Sequence, residues 1–149
     1  MYLDYRNKTY KLVRDGDEWE IISNDVRSIM DGFRKDGNIY YKQINNQKLL
    51  NTRYDIEIHM IYRTNYELVS NVWKVKVTPE LYNLGKIKIV FAEGLLPGWN
   101  VEDKNVCYKY IDITEVEDIY FVKLDMNYNE IEKKRIDINQ LKSIIEKYS

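Results

Sequence analysis

Residues 53–63 carry the feature that most constrains the fold, a regular alternation of apolar and polar side chains. One face would hold Tyr54, Ile56, Ile58, Met60 and Tyr62, and the other would hold Asp55, Glu57, His59, Ile61 and Arg63. Successive side chains of a β-strand point to opposite faces, so the pattern predicts a strand with one buried face. Such strands are typical of antiparallel sheets that cover a hydrophobic core.

Further strands follow from the same alternation and from turn signals. Residues 9–14 and 18–22 are rich in β-formers and flank Asp15-Gly16-Asp17, which predicts a hairpin. The other predicted strands are 72–77, 86–91, 106–113, 119–124 and 130–136, with a turn at 125–129. The whole chain therefore predicts about eight strands.

Three short segments predict helices. Residues 24–33 carry apolar side chains at helical spacing, which predicts a short amphipathic helix. These side chains are Val26, Ile29, Met30 and Phe33. A cap and a first-turn proline at 78–80 predict a further helical turn over 79–84. Asp137 as N-cap and Gln140 form a capping box that begins a C-terminal helix over 138–148.

The predicted fold class is α+β. It combines a mainly antiparallel β-sheet of about eight strands with a short helix in the N-terminal half and a C-terminal helix packed on the sheet. The chain of 149 residues has no internal repeat and the size of one ordinary domain. We therefore expect a single domain over residues 1–149.

Composition limits the classes of function. The 23 Lys and Arg residues balance 24 Asp and Glu residues, so the formal net charge is −1 and no general attraction to nucleic acid or membranes is expected. No export signal or long apolar run is seen, and the single Cys107 cannot form an intramolecular disulfide. These features predict a cytoplasmic protein without a membrane partner.

The sequence lacks the short motifs of common catalytic sites. It has no phosphate-binding glycine loop, dinucleotide fingerprint, nucleophile elbow, His-Glu-x-x-His zinc motif or Cys-x-x-Cys pair. Cys107 has no hydrolase signature beside it and is expected to be a buried, inert thiol. We therefore expect no enzyme activity, no cofactor and no metal ion.

One polar group leaves a ligand-binding or catalytic alternative open. His59 is the only histidine and shares its strand face with Asp55 and Glu57. At two-residue spacing these side chains can converge on a small ligand, and histidine exchanges a proton near neutral pH. One strand with one histidine supplies too few ligands for a zinc or iron site. The alternative pocket is therefore Asp55, Glu57 and His59 without a metal.

Charged residues gather in two further places. Asp112, Glu115, Glu117 and Asp118 lie between two predicted strands, either as solvated loop charges or as a negative patch that faces a basic partner. Their spacing does not match a calcium-binding EF-hand loop. Lysines also alternate with aromatic residues in predicted strands, as in sheets that bind single-stranded nucleic acid. Because such lysines point away from the aromatics beside them, nucleic acid is disfavoured as a partner.

Aromatic residues favour a binding function. The chain has 14 tyrosines and three tryptophans, residue types that are enriched at the centres of protein interfaces but also fill half-buried sheet positions. Trp99 lies in the Gly- and Pro-containing loop over 94–100, and Tyr128 lies in the turn at 125–129. Neither position guarantees burial, so both are candidate contacts for a partner.

The sequence therefore favours a non-catalytic protein-binding domain, and among these a bacterial immunity protein or antitoxin that neutralises a cognate toxin by direct binding. One protein partner is expected, a toxin domain such as a basic nuclease, facing the acidic residues, Trp99 and Tyr128. One alternative is a phage or mobile-element accessory protein that binds a host factor. Another is a small ligand-binding β-domain or enzyme that uses the carboxylates and His59.

Overall fold

The computed structural model describes residues 1–62, 71–76, 85–115 and 117–148, and at 61–62, 71–76 and 117 it describes the backbone alone. The chain divides into two compact units, one of residues 1–56 and 123–131 and one of residues 57–122 and 132–149. Neither unit is a continuous segment. The expectation of a single domain stays a prediction, because compactness does not decide whether two units unfold together.

The first unit contains a five-stranded antiparallel sheet with the strand order β1-β2-β3-β5-β4. The strands are β1 Tyr2–Tyr5, β2 Lys8–Asp15, β3 Glu18–Ser23, β4 Arg34–Asp36 and β5 Ile39–Gln43. Asp15 pairs with Glu18 around a two-residue turn in which Gly16 has φ of +59°, so the hairpin is confirmed. A positive φ at this position suits glycine, which has no Cβ to clash.

The core of the first unit draws apolar side chains from several strands and from a short helix. Its buried members are Leu3, Tyr10, Leu12, Ile21, Phe33, Tyr40, Ile44 and Leu50. The helix α1, Gln47–Leu50, begins at Asn46, whose side chain accepts a hydrogen bond from the Leu49 amide at 3.1 Å. Leu50 at its end is buried, so this one turn closes the core after β5.

A helix is present within the predicted range 24–33, but its apolar side chains do not face the core. Val26–Asp31 forms a 3-10 helix that begins at Asp25 and ends at Gly32. Of the predicted apolar stripe only Phe33, just past the helix, is buried, whereas Val26, Ile29 and Met30 face solvent. The amphipathic prediction was therefore wrong, because the polar interactions described below turn Ser28 toward the protein.

Most residues of the other sheet belong to the second unit. This sheet has seven strands in the order β12-β11-β6-β7-β8-β10-β9. The strands are β6 Asp55–Tyr62, β7 Asn71–Lys76, β8 Lys86–Phe91, β9 Asn100–Asp103, β10 Val106–Asp112, β11 Glu117–Leu124 and β12 Glu130–Ile136. Ile58 and Met60 on β6 and Ile87 and Ile89 on β8 are buried, which confirms the predicted alternation.

The C-terminal helix α2, Ile138–Tyr148, packs on this sheet. Leu141 is fully buried, and the Tyr148 ring stacks on Phe121 of β11 with ring centroids 6.1 Å apart. Asp137 Oδ1 accepts from the Gln140 amide at 2.8 Å, and the Asp137 amide donates to Gln140 Oε1 at 2.9 Å. The capping box and the packed helix are therefore confirmed.

The α+β class and the mainly antiparallel pairing are confirmed, with two sheets among the described residues. Twelve strands are present there, more than the predicted number of about eight, because β1, β4, β5 and β9 were missed. The predicted helical turn over 79–84 lies outside the described residues. Within the described part of the chain, no helix combines the length and the apolar composition of a membrane span.

Candidate functional site

A cluster of exposed apolar side chains stands on the 3-10 helix of the first unit. Val26, Ile29 and Met30 are 64%, 50% and 88% exposed, and we call these three residues the apolar turn. Side chains three residues apart eclipse one another in a 3-10 helix, so Val26 and Ile29 lie one above the other. Three large apolar groups together are more informative than a single exposed one.

Polar side chains hold the start of the apolar turn. The Asp25 carboxylate accepts from the Arg27 amide at 2.9 Å and caps the helix. The Ser28 hydroxyl donates to Ser23 Oγ at 2.7 Å, and Ser23 Oγ also accepts from the Asp25 amide at 3.0 Å. Ser28 is only 3% exposed. The helix therefore directs a small polar residue inward and its large apolar residues outward.

The end of the apolar turn is held by the backbone and by the core. Gly32 has φ of +82°, a left-handed conformation, and its amide donates to the Ile29 carbonyl at 3.1 Å. The Phe33 amide donates to the Ser28 carbonyl at 3.2 Å, and the Phe33 ring packs against Tyr10 with ring centroids 5.2 Å apart. Anchored at both ends, the helix cannot rotate its apolar side chains inward without breaking these contacts.

The charges around the apolar turn are paired with one another. Asp25 forms an ion pair with Arg27 at 2.7 Å, and Asp31 forms one with Lys8 at 3.7 Å. Hydrogen bonds from the Arg27 side chain and amide lower the pKa of Asp25 to about 2. These four charges balance one another, so the turn offers a partner its apolar side chains.

Two of the predicted acidic residues meet at the end of β10. Asp112 Oδ1 accepts from the Thr114 amide at 3.0 Å and from its hydroxyl at 2.9 Å, and the Asp112 amide donates to Glu115 Oε2 at 2.8 Å. The hydrogen bonds from Thr114 hold the pKa of Asp112 below its usual value. Both carboxylates cap the 3-10 turn Ile113–Glu115, and both residues remain exposed to a partner.

The other two acidic residues differ from this pair. Asp118 has φ of +44° and forms an ion pair with Arg135 of β12 at 2.5 Å, so its charge is largely balanced. The side chain of Glu117 lies outside the described residues. A shallow groove of about 620 Å³ lies beside Asp118, and Arg135 and the first turn of α2 also line it.

The two candidate aromatic contacts differ in exposure and in location. Trp99 is half-buried in the loop before β9, and its amide donates to the Leu96 carbonyl at 3.2 Å. Tyr128 is strongly exposed in a turn held by Asp125, which accepts from the amides of Asn127 and Asn129. Tyr128 belongs to the first unit and Trp99 to the second. A partner contact at either residue stays a prediction.

The alternative pocket is only partly assembled. His59 Nε2 lies 2.7 Å from Glu57 Oε2, and both side chains are half-buried. Asp55 instead forms an ion pair with the N-terminal amine of Met1 at 3.2 Å within the first unit. In the described part of the chain no three His, Cys, Asp or Glu residues are grouped closely enough to hold a metal ion.

The remaining candidate residues, Cys107 and the strand lysine Lys88, are engaged in contacts within the protein. Cys107 is buried, with its sulfur 3.4 Å from the Leu96 amide and 3.5 Å from the Gly94 carbonyl oxygen, so the predicted buried thiol is confirmed. Lys88 forms an ion pair with Glu102 at 2.9 Å and lies over the Tyr108 ring of the neighbouring strand. The prediction concerned aromatics beside a lysine on its own strand, and this contact is instead with an aromatic of the paired strand.

Fold and surface together define an α+β protein of antiparallel sheets that carries an exposed, rigidly anchored apolar turn. A family model matches residues 1–77, just over half of the chain. The chain therefore belongs to this family, which is described as uncharacterised conserved protein UCP033725. The matched range contains the apolar turn and the whole first sheet. No curated protein and no solved structure matches the chain significantly.

Proposed function

We propose that this chain is a non-catalytic, cytoplasmic protein-binding protein, and specifically a bacterial immunity protein or antitoxin that neutralises a toxin by direct binding. The observation that supports the proposal is the apolar turn. Hydrogen bonds of Ser23, Asp25 and Ser28 keep Val26, Ile29 and Met30 in solvent. A rigid apolar protrusion of this kind suits insertion into an apolar groove of a partner.

The energetics favour a partner that covers the whole turn. Fully burying one aliphatic side chain is worth about 1.5–3 kcal/mol. Three side chains in one turn therefore offer several kcal/mol, and the fixed backbone keeps the entropic cost of ordering low. Methionine is among the residues enriched in interface cores. The turn accordingly has the properties of a hot spot surrounded by neutral, paired charges.

The specific immunity or antitoxin role rests on a second surface. Asp112 and Glu115 present exposed carboxylates at the end of β10. Exposed negative charge accelerates association with a basic partner such as a nuclease, and salt weakens this effect. The carboxylates would therefore raise the rate of association with a basic toxin, whereas the apolar turn would contribute affinity.

The test is co-expression of the chain with the product of each adjacent gene, followed by growth and binding measurements. We expect one neighbour to be toxic alone and harmless with this chain, and the pair to copurify. Met30→Glu should weaken that complex by about thirtyfold or more, the loss expected at a hot spot. Ile131→Glu is the matched control, because Ile131 is an exposed apolar residue of β12, which belongs to the seven-stranded sheet.

The outcomes separate the parts of the proposal. If no neighbouring product is toxic or bound, the immunity and antitoxin role is refuted. If a toxin is neutralised but Met30→Glu and Ile131→Glu bind equally well, the apolar turn is not the interface. If Asp112→Asn with Glu115→Gln leaves the association rate and its salt dependence unchanged, the carboxylates do not face the toxin.

A second candidate function is small-ligand binding or catalysis at His59, which its 2.7 Å contact with Glu57 favours. A ligand that binds the folded state raises the melting temperature. Small metabolites should therefore be screened by thermal shift against the protein and against His59→Gln. A compound that stabilises only the protein with His59 supports this candidate, and a screen without such a compound removes it.

A further inference from the structure

We propose that a polar cavity on the first sheet binds a small zwitterion, a molecule of dipeptide size with one ammonium and one carboxylate group. The cavity has a volume of about 350 Å³, within the range of about 300–1,000 Å³ for small-molecule sites. It lies wholly within the first unit. The proposal does not depend on the protein partner proposed above.

The cavity is built by three neighbouring strands. β3 provides Glu18 and Glu20, β4 provides Arg34, β5 provides Tyr41, Lys42 and Gln43, and Gly32 before β4 completes the lining. Glu20 pairs with Gln43, and Arg34 pairs with Tyr41. Residues opposite one another and residues two apart share a sheet face, so Glu20, Gln43, Tyr41 and Arg34 lie on the same face. Carboxylate, amide, phenol and guanidinium groups therefore follow one another across it.

Glu20 provides the negative end of this row. It is half-buried, and its cross-strand neighbours are Val13 and Gln43. Its carboxylate forms no hydrogen bond or ion pair with any described residue. Removing a carboxylate partly from water without a partner is unfavourable, and a ligand ammonium group would relieve that cost. Glu18, two residues earlier on β3, adds a second negative charge.

Arg34 provides the positive end. Its guanidinium also forms no hydrogen bond or ion pair with any described residue, whereas Lys42 Nζ is engaged by the Asp31 carbonyl oxygen at 3.0 Å. β5 separates β3 from β4, so Glu20 and Arg34 are about 10 Å apart across the strands. The register adds an offset of two residues along the strands, or about 7 Å.

The separation explains why the two charges are unpaired and which ligand they fit. Opposite charges within reach of each other would form an ion pair and close the cavity. A ligand with an ammonium at Glu20 and a carboxylate at Arg34 satisfies both, and guanidinium binds carboxylate in a bidentate manner. A dipeptide spans the gap better than a free amino acid, since each residue adds about 3.5 Å. Tyr41 and Gln43 can then hydrogen-bond its central amide.

The test is a titration of the full chain with glycylglycine, followed by ¹⁵N NMR. We expect shifts of the backbone amides of residues 18–20, 34 and 41–43, with a dissociation constant of about 1 mM. Glu20→Gln and Arg34→Gln should each weaken binding about tenfold, because each removes a charged hydrogen bond. The matched controls are Glu132→Gln and Lys35→Gln, which remove the same charges outside the cavity and should bind normally.

Two further ligands test the need for both charges. Acetylated glycylglycine lacks the ammonium, and glycylglycinamide lacks the carboxylate, so each should bind about tenfold more weakly than glycylglycine. The amide spectra also report whether each variant is folded. Absence of shifts at the cavity with glycylglycine, equal binding of the singly charged analogues, or equal loss in the control variants would overturn the proposal.

Discussion

Replacing a large apolar residue usually destabilises a protein more than replacing a small polar one, and the orientation of the 3-10 helix predicts the opposite here. Within this helix, the small polar Ser28 should matter more to the fold than the large apolar Met30. Ser28 is buried and donates to Ser23 Oγ, whereas Met30 is 88% exposed. The comparison of Ser28→Ala with Met30→Ser therefore tests which face of the helix packs on the protein.

The expected magnitudes follow from these contacts. Ser28→Ala removes one hydrogen bond of about 0.5–1.5 kcal/mol, while Ser23 Oγ keeps its bond from the Asp25 amide. Ser28→Val adds about 1–3 kcal/mol of overpacking at a site that is only 3% exposed. Met30→Ser and Val26→Ser should change the free energy of unfolding by less than about 0.5 kcal/mol, because both side chains are mostly in solvent.

The assay is urea unfolding followed by far-UV circular dichroism, with the free energies compared at constant m-value. An amphipathic helix with its apolar stripe in the core would give the opposite ranking. Loss of a core methionine costs about 2–5 kcal/mol, and an exposed serine costs almost nothing. A loss of more than about 2 kcal/mol for Met30→Ser, combined with no loss for Ser28→Ala, would refute the orientation on which the proposed interface depends.

Three further predictions concern other parts of the chain. Asp137→Ala should lower the free energy of unfolding by about 1 kcal/mol through loss of the α2 cap, and an unchanged value would contradict the capping box. The Asp25 carboxyl should titrate near its pKa of about 2 in ¹³C NMR, so the stability it contributes is complete above its ordinary pKa of 3.8 and lost as the pH falls toward 2. Arg27→Gln should raise that pKa toward 3.8, and no rise would exclude the side-chain hydrogen bond as its main cause. Cys107 should react with a thiol reagent only as the protein opens, and fast reaction of the native protein would contradict its burial.

Elements whose signals are local could be predicted from the sequence. The Asp15-Gly16-Asp17 hairpin depends on a glycine with positive φ, and the α2 cap depends on Asp137 and Gln140, so both are encoded within a few residues. In β6, the alternation of apolar and polar residues likewise identifies the buried face from the sequence alone. Each of these features arises from short-range geometry that holds in any fold that contains it.

Elements that depend on distant partners could not be predicted in this way. β4 is the charged tripeptide Arg34–Asp36, and it is a strand because β5 pairs with it. The same dependence hides the polar cavity, since Glu20 and Arg34 share a sheet face only through the registers of β3, β4 and β5. These registers depend on how distant strands pair, so they cannot be derived from a single sequence.

The apolar turn shows a different limit. Hydrophobic periodicity predicts that Val26 and Ile29 share a face, and they do, but it does not determine whether that face meets the core or a partner. The orientation of the helix is instead set by two serines, because the Ser28 hydroxyl donates a hydrogen bond to Ser23 Oγ and so turns Ser28 toward the protein. The helix thus packs through the buried Ser28 and the half-buried Ser23, although Val26, Ile29 and Met30 lie within two residues of Ser28, and it leaves the burial of three large apolar side chains unused. This arrangement agrees with the proposal that those apolar residues contact another protein.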